Sequence, residues 1–203
     1  MKFNILLLLL LAVFFGSVSN AQEAGTAGVS GVKKEPLRIY ENRGGDFELI
    51  GPDGKEISSA SFRGKVILIY FGYTYCPDVC PMSLSHLKVG MLELAEQAKE
   101  VQVFFVSIDP ERDTPEKLKQ YVPYFHPDFI GLTGSVNDVA EVARQYGARY
   151  FKEYVESVEG YFMAHTDAVF LVDQEGRYRG RYKTEWDMEK LVSDIQWLLN
   201  SGA

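Results

Sequence analysis

The chain has 203 residues, a formal net charge of −7 and 46% hydrophobic residues. This length is enough for one domain of ordinary size with a short extension. The acidic balance, and a sequence without any run of Lys and Arg, argue against nucleic acid as a partner.

The amino end has the pattern of a secretory signal. Lys2 provides a positive start, residues 5–15 form an unbroken apolar run, and Ser19 and Ala21 are small, as signal peptidase requires. Residues 1–21 are therefore predicted to be a signal peptide that is cleaved after Ala21. The apolar run is shorter than the ~20 residues that span a bilayer, so a retained anchor, which would tether the protein to a membrane, is the weaker alternative. We expect an exported protein, located in the periplasm or at the extracytoplasmic face of the inner membrane.

A leader and a β-hairpin come next. Residues 22–36 are rich in Gly, Ala and Ser and cannot bury a core, so they are predicted to be flexible. Residues 37–203 are assigned to one domain. It opens with FELIGPDGKEI, in which the Pro-Asp-Gly at positions 52–54 supplies the turn of a hairpin.

The following segments predict a strand–helix–strand unit. The run VILIYF, residues 66–71, is apolar on both faces, as in a central strand covered on both sides. A helix with Pro81 at its first position should follow. Its apolar residues recur at helical spacing, at Leu84, Leu87, Met91, Leu94 and Ala98. The segment VQVFFVSID then predicts a second buried strand, and this order implies a right-handed crossover between parallel strands.

The second half of the domain alternates helices and strands. The predicted elements are a helix capped by Thr114, a strand over residues 129–132, a helix from Ser135 to Gly147, antiparallel strands over residues 168–172 and 178–183, and a helix over residues 188–199 capped by Asp187. The predicted fold class is α/β, a central mixed β-sheet with helices on both faces.

The two cysteines of the chain, Cys76 and Cys80, lie in YFGYTYCPDVCP, where the predicted central strand passes into the helix. A helix end offsets at most ~1 kcal/mol of the about 2 kcal/mol needed to form a thiolate at pH 7. Two uncompensated thiolates side by side are therefore unfavourable, and we expect the two sulfurs either to bind a cation or to form a disulfide. A disulfide across so short a loop would stabilise the folded protein by only roughly 2 kcal/mol. This small gain favours a functional role for the two cysteines over a purely structural one. That pair is either redox-active or a site for a soft metal ion, copper or zinc.

A metal would need a third ligand, and the chain has three histidines. His86 is in register with Gly90, on the polar side of its predicted helix, and His126 lies in a loop, so both are predicted to be surface residues. His165 is predicted to lie in a loop just before the strand over residues 168–172. That loop approaches the cysteines if the two strands are near neighbours, although the pattern alone favours a structural histidine.

Three more residues near these positions are candidates. Met163 could provide a thioether ligand to a soft metal, but a methionine of this kind is more often part of the core. Asp78 and Asp109 could orient ligands or recognise a partner, and the alternatives for both are turn formation and helix capping.

The segments YFGYTYCPDVCP and VFFVSIDPERDTP, together with His165 ahead of AVFLVD, closely resemble the Sco/SenC proteins. The resemblance extends over about residues 40–200. It implies a thioredoxin-like fold with an inserted helix–strand–helix segment. It also implies that Cys76, Cys80 and His165 bind copper, both Cu(I) and Cu(II), and that Asp109 lies near the metal.

The function implied by the resemblance is that of a metallochaperone, which delivers copper to the binuclear copper site of cytochrome c oxidase subunit II. One alternative is a thiol–disulfide reductase that keeps the cysteines of that site reduced, with Cys76 and Cys80 as its redox-active pair. Another is a redox or copper sensor, and whether the protein is an enzyme stays open. The expected partners are subunit II and a periplasmic thiol reductant or copper donor protein.

Overall fold

The computed structural model describes residues 36–154, 160–183, 185 and 187–201. The predicted signal peptide and all of the predicted leader except residue 36 lie outside the described residues, so both stay predictions. In the described part of the chain, no helix is long and apolar enough to cross a membrane.

The described residues form nine strands and four α-helices. In chain order they are β1 (Glu48–Ile50), β2 (Glu56–Ser58), β3 (Val66–Gly72), α1 (Val79–Leu94), β4 (Val101–Ser107), α2 (Pro115–Tyr121), β5 (Ile130–Leu132), α3 (Val136–Tyr146), β6 (Tyr150–Glu153), β7 (Phe162–His165), β8 (Val169–Val172), β9 (Tyr178–Tyr182) and α4 (Met188–Ser201).

A five-stranded mixed sheet forms the centre of the domain, with the strand order β5-β4-β3-β8-β9. β3 is parallel to β4, and β4 is parallel to β5, whereas β8 runs antiparallel to both of its neighbours. Every residue of β3 and β4 is buried, as expected for strands that are covered on both faces. The predicted central mixed sheet is confirmed.

Helices cover both faces of this sheet. Tyr70 and Phe71 are consecutive in β3, so their side chains point to opposite faces. The Tyr70 hydroxyl donates to Asp167 (3.1 Å), which also accepts from Ser83 of α1 (3.0 Å). The Phe71 ring instead contacts Tyr146 of α3, with the ring centroids 6.4 Å apart. Helices α1 and α3 therefore lie on opposite faces of β3.

Helix α1 begins two residues earlier than predicted. Its first residue is Val79, with Asp78 at the N-cap position, and Pro81 is the third residue rather than the first. A proline is tolerated there because the first N–H groups of a helix have no intrahelical acceptor.

The side of α1 that contains His86 and Gly90 is less polar than predicted. Gly90 is buried, and a Cβ on it would lie 2.8 Å from Sδ of Met188 in α4. His86 is half-buried, and its Nδ1 has no hydrogen-bond partner among the described residues. The prediction of a solvent-facing side was wrong because α4, which lies far along the chain, packs against it.

The other predicted elements are confirmed, with boundary shifts of one to three residues. Thr114 caps α2 by accepting from the Lys117 N–H (3.3 Å). Ser135 forms a capping box with Asp138 at the start of α3, and that helix ends at Gly147 in the left-handed conformation (φ +76°). The N-terminal hairpin β1–β2, the inserted α2–β5–α3 segment and the hairpin β8–β9 all form as expected.

A further hairpin, β6–β7, was not predicted. Tyr150 pairs with His165 in its register, so His165 is the last residue of a strand, and its predicted position in a loop was wrong. The residues of β6 are half-buried or exposed, and they lack the apolar run that marks a buried strand in a sequence. The hairpin sets where His165 lies relative to the central sheet.

Candidate metal centre

The two cysteines lie at the carboxyl end of the central strand. Cys76 belongs to the loop between β3 and α1, and Cys80 is the second residue of α1. Both thiols are free, and both are buried, Cys76 at 8% exposure and Cys80 at 0%. The Cys80 N–H donates to the Cys76 sulfur (3.3 Å), so the first turn of the helix points at that sulfur.

His165 completes a compact group with these cysteines. Its Nε2 is 3.3 Å from Sγ of Cys80, and the three possible ligand atoms of Cys76, Cys80 and His165 all lie within 4.8 Å of one another. Ions held by thiolate and imidazole lie at about 2.0–2.3 Å from each ligand, which requires ligand atoms roughly 4 Å apart. The structure thus brings the three sequence-predicted ligands to nearly the spacing that one ion needs.

The His165 ring is oriented by its neighbours. Its Nδ1 is 3.2 Å from the carbonyl oxygen of Thr166, which can only accept, so Nδ1 carries the proton. The lone pair is then on Nε2, facing the sulfurs. Tyr70 and Tyr73 contact the ring edge-to-face, at centroid distances of 6.2 and 6.0 Å, and hold its plane.

The pKa values of the two thiols are shifted in opposite directions. The pKa of Cys76 is lowered to about 4, first by the hydrogen bond that the Cys80 thiol donates and also by the backbone N–H groups of Asp78 and Cys80, although burial opposes this. The pKa of Cys80 is raised by the same hydrogen bond to Cys76, by burial and by the charge of the Cys76 thiolate. The site therefore presents one thiolate beside a buried thiol, and a soft cation would displace the remaining proton.

Comparison with known sequences assigns the chain to a family. The sequence model of the SCO1/SenC family matches residues 37–200. The chain belongs to the SCO1/SenC family. Residues 37–200 cover the whole of the sheet and the three candidate ligands.

Individual relatives agree with this membership. The chain is 39% identical to a SCO2-like protein of Rickettsia prowazekii over 168 residues, which are 78% of this chain and 82% of the relative. It is similar to the copper-bound structure of ScoI from Bradyrhizobium japonicum, with 36% identity, a TM-score of 0.70, and coverage of 77% of this chain and 99% of the other. The solution structure of apo Sco1 from Thermus thermophilus has 40% identity, a TM-score of 0.70, and coverage of 80% and 96%. The thioredoxin-like fold expected for this family is the one observed.

Asp113 positions the cysteine loop in this SCO1/SenC protein, although the sequence analysis did not single it out. It is fully buried and accepts from the Thr74 N–H (2.9 Å), the Thr74 hydroxyl (2.6 Å) and the Ser107 hydroxyl (2.7 Å). Thr74 is two residues before Cys76, so these bonds fasten the loop to the end of β4. The only sequence feature that marks Asp113 is its place as the second aspartate of SIDPERDTP, and an aspartate at this position could equally be an ordinary helix-capping residue.

Asp109, which is predicted to lie near the metal, forms its contacts at Tyr161, the residue just before β7. It is buried and accepts from the Tyr161 hydroxyl (2.7 Å) and from Nε of Arg112. Arg112 also donates to the carbonyl oxygen of Tyr161 (3.0 Å). Because Tyr161 directly precedes β7, Asp109 influences the position of His165 through the strand that carries it.

The other candidates lie outside the ligand group. The Asp78 side chain is exposed and makes no capping bond, and only its backbone N–H reaches Cys76. Met163 is buried in the core, which is the alternative that the sequence favoured. His126 accepts from the Asp128 N–H (3.2 Å) within its turn, in keeping with its predicted loop position.

Gly72 leaves the space that the sulfur of Cys80 needs. It is the last residue of β3, and a Cβ on it would lie 2.8 Å from Phe105, 2.9 Å from Tyr70 and 3.0 Å from Sγ of Cys80. The backbone and the sulfur approach closely here because no side chain separates them.

Proposed function

We propose that this protein binds copper through Cys76, Cys80 and His165 and delivers it to the binuclear copper site of cytochrome c oxidase subunit II. The observation that carries the proposal is the convergence of two sulfurs and one imidazole nitrogen within 4.8 Å. Membership of the SCO1/SenC family supports it, as does the likeness to copper-bound ScoI. Copper is the cargo in this proposal and is held only until it is transferred.

The donor set suits this cargo. Two thiolates and an imidazole form a soft, three-coordinate site of the kind that Cu(I) prefers. Cys76 supplies a thiolate at neutral pH, and His165 supplies a neutral nitrogen whose proton is on the far side of the ring. Binding Cu(II) at the same site is part of the proposal, with the thiolates as its strongest donors.

Transfer is favoured by the position of the site. Cys76 lies in a loop rather than inside an element, and it is the more exposed of the two sulfurs. We expect a partner's ligand to replace Cys76 first, with Cys80 and His165 releasing the ion afterwards. The location that we propose for this role is the periplasm or the extracytoplasmic face of the inner membrane.

A Cu(I) titration of the reduced protein in competition with a chelator tests the ligand set. His165→Ala should weaken Cu(I) binding at least about tenfold, since even residues that only support a metal ligand are worth this much. His86→Ala is the matched control, because it removes a histidine whose Nδ1 has no hydrogen-bond partner among the described residues. Equal Cu(I) affinity in His165→Ala and His86→Ala would contradict the proposed site.

A further inference from the structure

A large basic cleft lies beside the candidate metal centre. It has a volume of about 960 Å³ and lies between the start of the domain, the end of α3 and β9. Its charged lining includes Arg38, Arg43, Arg149, Arg181 and Lys190, and among the described residues that line it the one acidic side chain is Asp187. These cations come from separate parts of a chain whose net charge is −7, so the fold gathers them against the overall balance.

Four of the arginines keep their charge available. Arg38, Arg43, Arg149 and Arg181 are exposed, and none of them forms an ion pair within the part of the chain that the structure describes. Lys190 is different, because it pairs with Asp194. The free positive charge of the cleft therefore comes from guanidinium groups, which bind carboxylates in bidentate geometry.

The cleft begins one residue from the proposed copper ligand. The Arg149 N–H donates to the Thr166 hydroxyl (3.0 Å), and the Thr166 N–H donates to the Arg149 carbonyl oxygen (2.8 Å). Thr166 lines the cleft, and its carbonyl oxygen accepts from Nδ1 of His165. Arg149 takes part in these bonds through its backbone groups alone, so a change of its side chain leaves them in place. Thr166 is the residue that both borders the cleft and orients the histidine ring.

We propose that this basic cleft docks an acidic surface of the protein that exchanges copper with Cys76, Cys80 and His165. The proposal rests on the proposed function and adds the chemistry by which the partner is recognised. Without the cleft, the acidic protein would repel an acidic partner, whereas four arginines that form no ion pair with any described residue attract it and align it next to the site. A protein surface is favoured over a membrane because the cleft is concave and fits protruding carboxylates better than a flat layer of lipid headgroups.

The first test separates the cleft from general charge. A hexaglutamate peptide is titrated at low salt against the full chain and against its Arg43→Gln/Arg149→Gln/Arg181→Gln variant. The variant should bind the peptide at least tenfold more weakly. A control with the same change of charge, Lys55→Gln/Lys65→Gln/Lys88→Gln, alters cations outside the cleft and should change the affinity less than twofold. Equal weakening in both variants, or no weakening in either, would overturn the proposal.

Phosphatidylglycerol vesicles test the membrane alternative. They should bind the wild-type chain and the cleft variant alike. If they bind the wild type more tightly than hexaglutamate does, and lose that binding in the cleft variant, the cleft is a lipid site and the proposal is wrong.

The second test measures exchange. Copper-loaded protein is mixed with the soluble copper domain of oxidase subunit II, and the copper content of the separated partner is followed in time. The cleft variant should transfer copper at least tenfold more slowly at low salt, with its Cu(I) affinity unchanged, and the difference should shrink as salt screens the charges. Equal transfer rates in the wild type and the cleft variant would overturn the docking proposal while leaving the copper site intact. A wild type that binds hexaglutamate but not Cu(I) would contradict the proposed function alone.

Discussion

The two cysteines have the same chemistry and different environments. The sulfur of Cys76 accepts hydrogen bonds from the Cys80 thiol and from two backbone N–H groups, whereas Cys80 donates its proton and is fully buried. One of the pair is therefore ready to act as a nucleophile or a ligand, and the other holds the proton that stabilises it.

The difference predicts which thiol reacts and at what pH. A pKa of about 4 means that Cys76 is mostly thiolate above pH 5, whereas an ordinary cysteine gains its thiolate only near pH 8.5. Iodoacetamide should therefore alkylate Cys76 at pH 6 in the folded protein, and its rate should fall only as the pH drops towards 4. Peptide mass analysis identifies the modified residue, with the urea-unfolded protein as control. Alkylation of Cys80 first, or a rate that still rises steeply between pH 7 and 9, would contradict this picture.

Asp113 predicts a second outcome at the level of single residues. Asp113→Ala leaves the Thr74 N–H and the hydroxyls of Thr74 and Ser107 without their buried acceptor, which should cost about 2–3 kcal/mol of unfolding free energy. Urea unfolding measures the loss, and Cu(I) affinity should fall because the loop that carries Cys76 is released. Asp53→Ala is the control, since its partner Lys119 is exposed and the unfolding midpoint should change far less. A wild-type midpoint for Asp113→Ala would show that the loop is held by other contacts.

At the level of elements, the site joins two separate sheets. The cysteines belong to the end of β3 and the start of α1, and the histidine belongs to the hairpin β6–β7. The contact between Asp109 and Tyr161 ties that hairpin to the end of β4. The position of the third ligand therefore depends on a few polar contacts as well as on the core.

Tyr161→Phe tests this tie. It removes one hydrogen bond to a buried carboxylate, which should cost about 1 kcal/mol of stability. It should also weaken Cu(I) binding by up to about tenfold, because the strand that ends in His165 is less well fixed. Tyr124→Phe makes the same chemical change at an exposed tyrosine and should alter neither quantity. An unchanged Cu(I) affinity in Tyr161→Phe would show that the hairpin is positioned without Asp109.

The elements also show what the sequence could and could not predict. The buried strands β3 and β4 and the capped helix α3 were predicted because each one carries its own local signal, an apolar run or a Ser135–Gly147 pair of caps. The hairpin β6–β7 carries no such signal, since its strands are short and Met163 is their one buried residue. The burial of Gly90 depends on α4, and the anchoring role of Asp113 depends on Thr74, and contacts of this range do not appear in any local pattern.

At the level of the whole molecule, the main question is whether the cysteine pair binds copper for transfer or acts as a thiol–disulfide reductase. A thiolate with a low pKa stabilises the reduced pair, and this makes its disulfide easier to reduce and the dithiol a poorer reductant. The reduced state is also the one that can bind a metal. The charge distribution therefore favours the chaperone over the reductase.

The reduction potential of the Cys76–Cys80 pair decides between the two. We expect a value above the about −270 mV of reducing thioredoxins, shifted towards the about −120 mV of oxidants with a similarly acidic thiol. Equilibration with glutathione buffers, read by thiol trapping, measures it. A potential at or below about −270 mV would favour a reductase that keeps the cysteines of a partner reduced.

The close contact at Gly72 has a practical consequence for anyone who wants to re-engineer the site. A larger ion, or a different set of donors, needs more room around the sulfur of Cys80, and the obvious change is to the strand that ends beneath it. The strand cannot accept a larger residue at this position, because even one methyl group at position 72 would clash with the sulfur and with two aromatic rings. Redesign should therefore begin with a smaller side chain at Phe105, because that change makes room beside Gly72 without adding an atom to the backbone next to the sulfur.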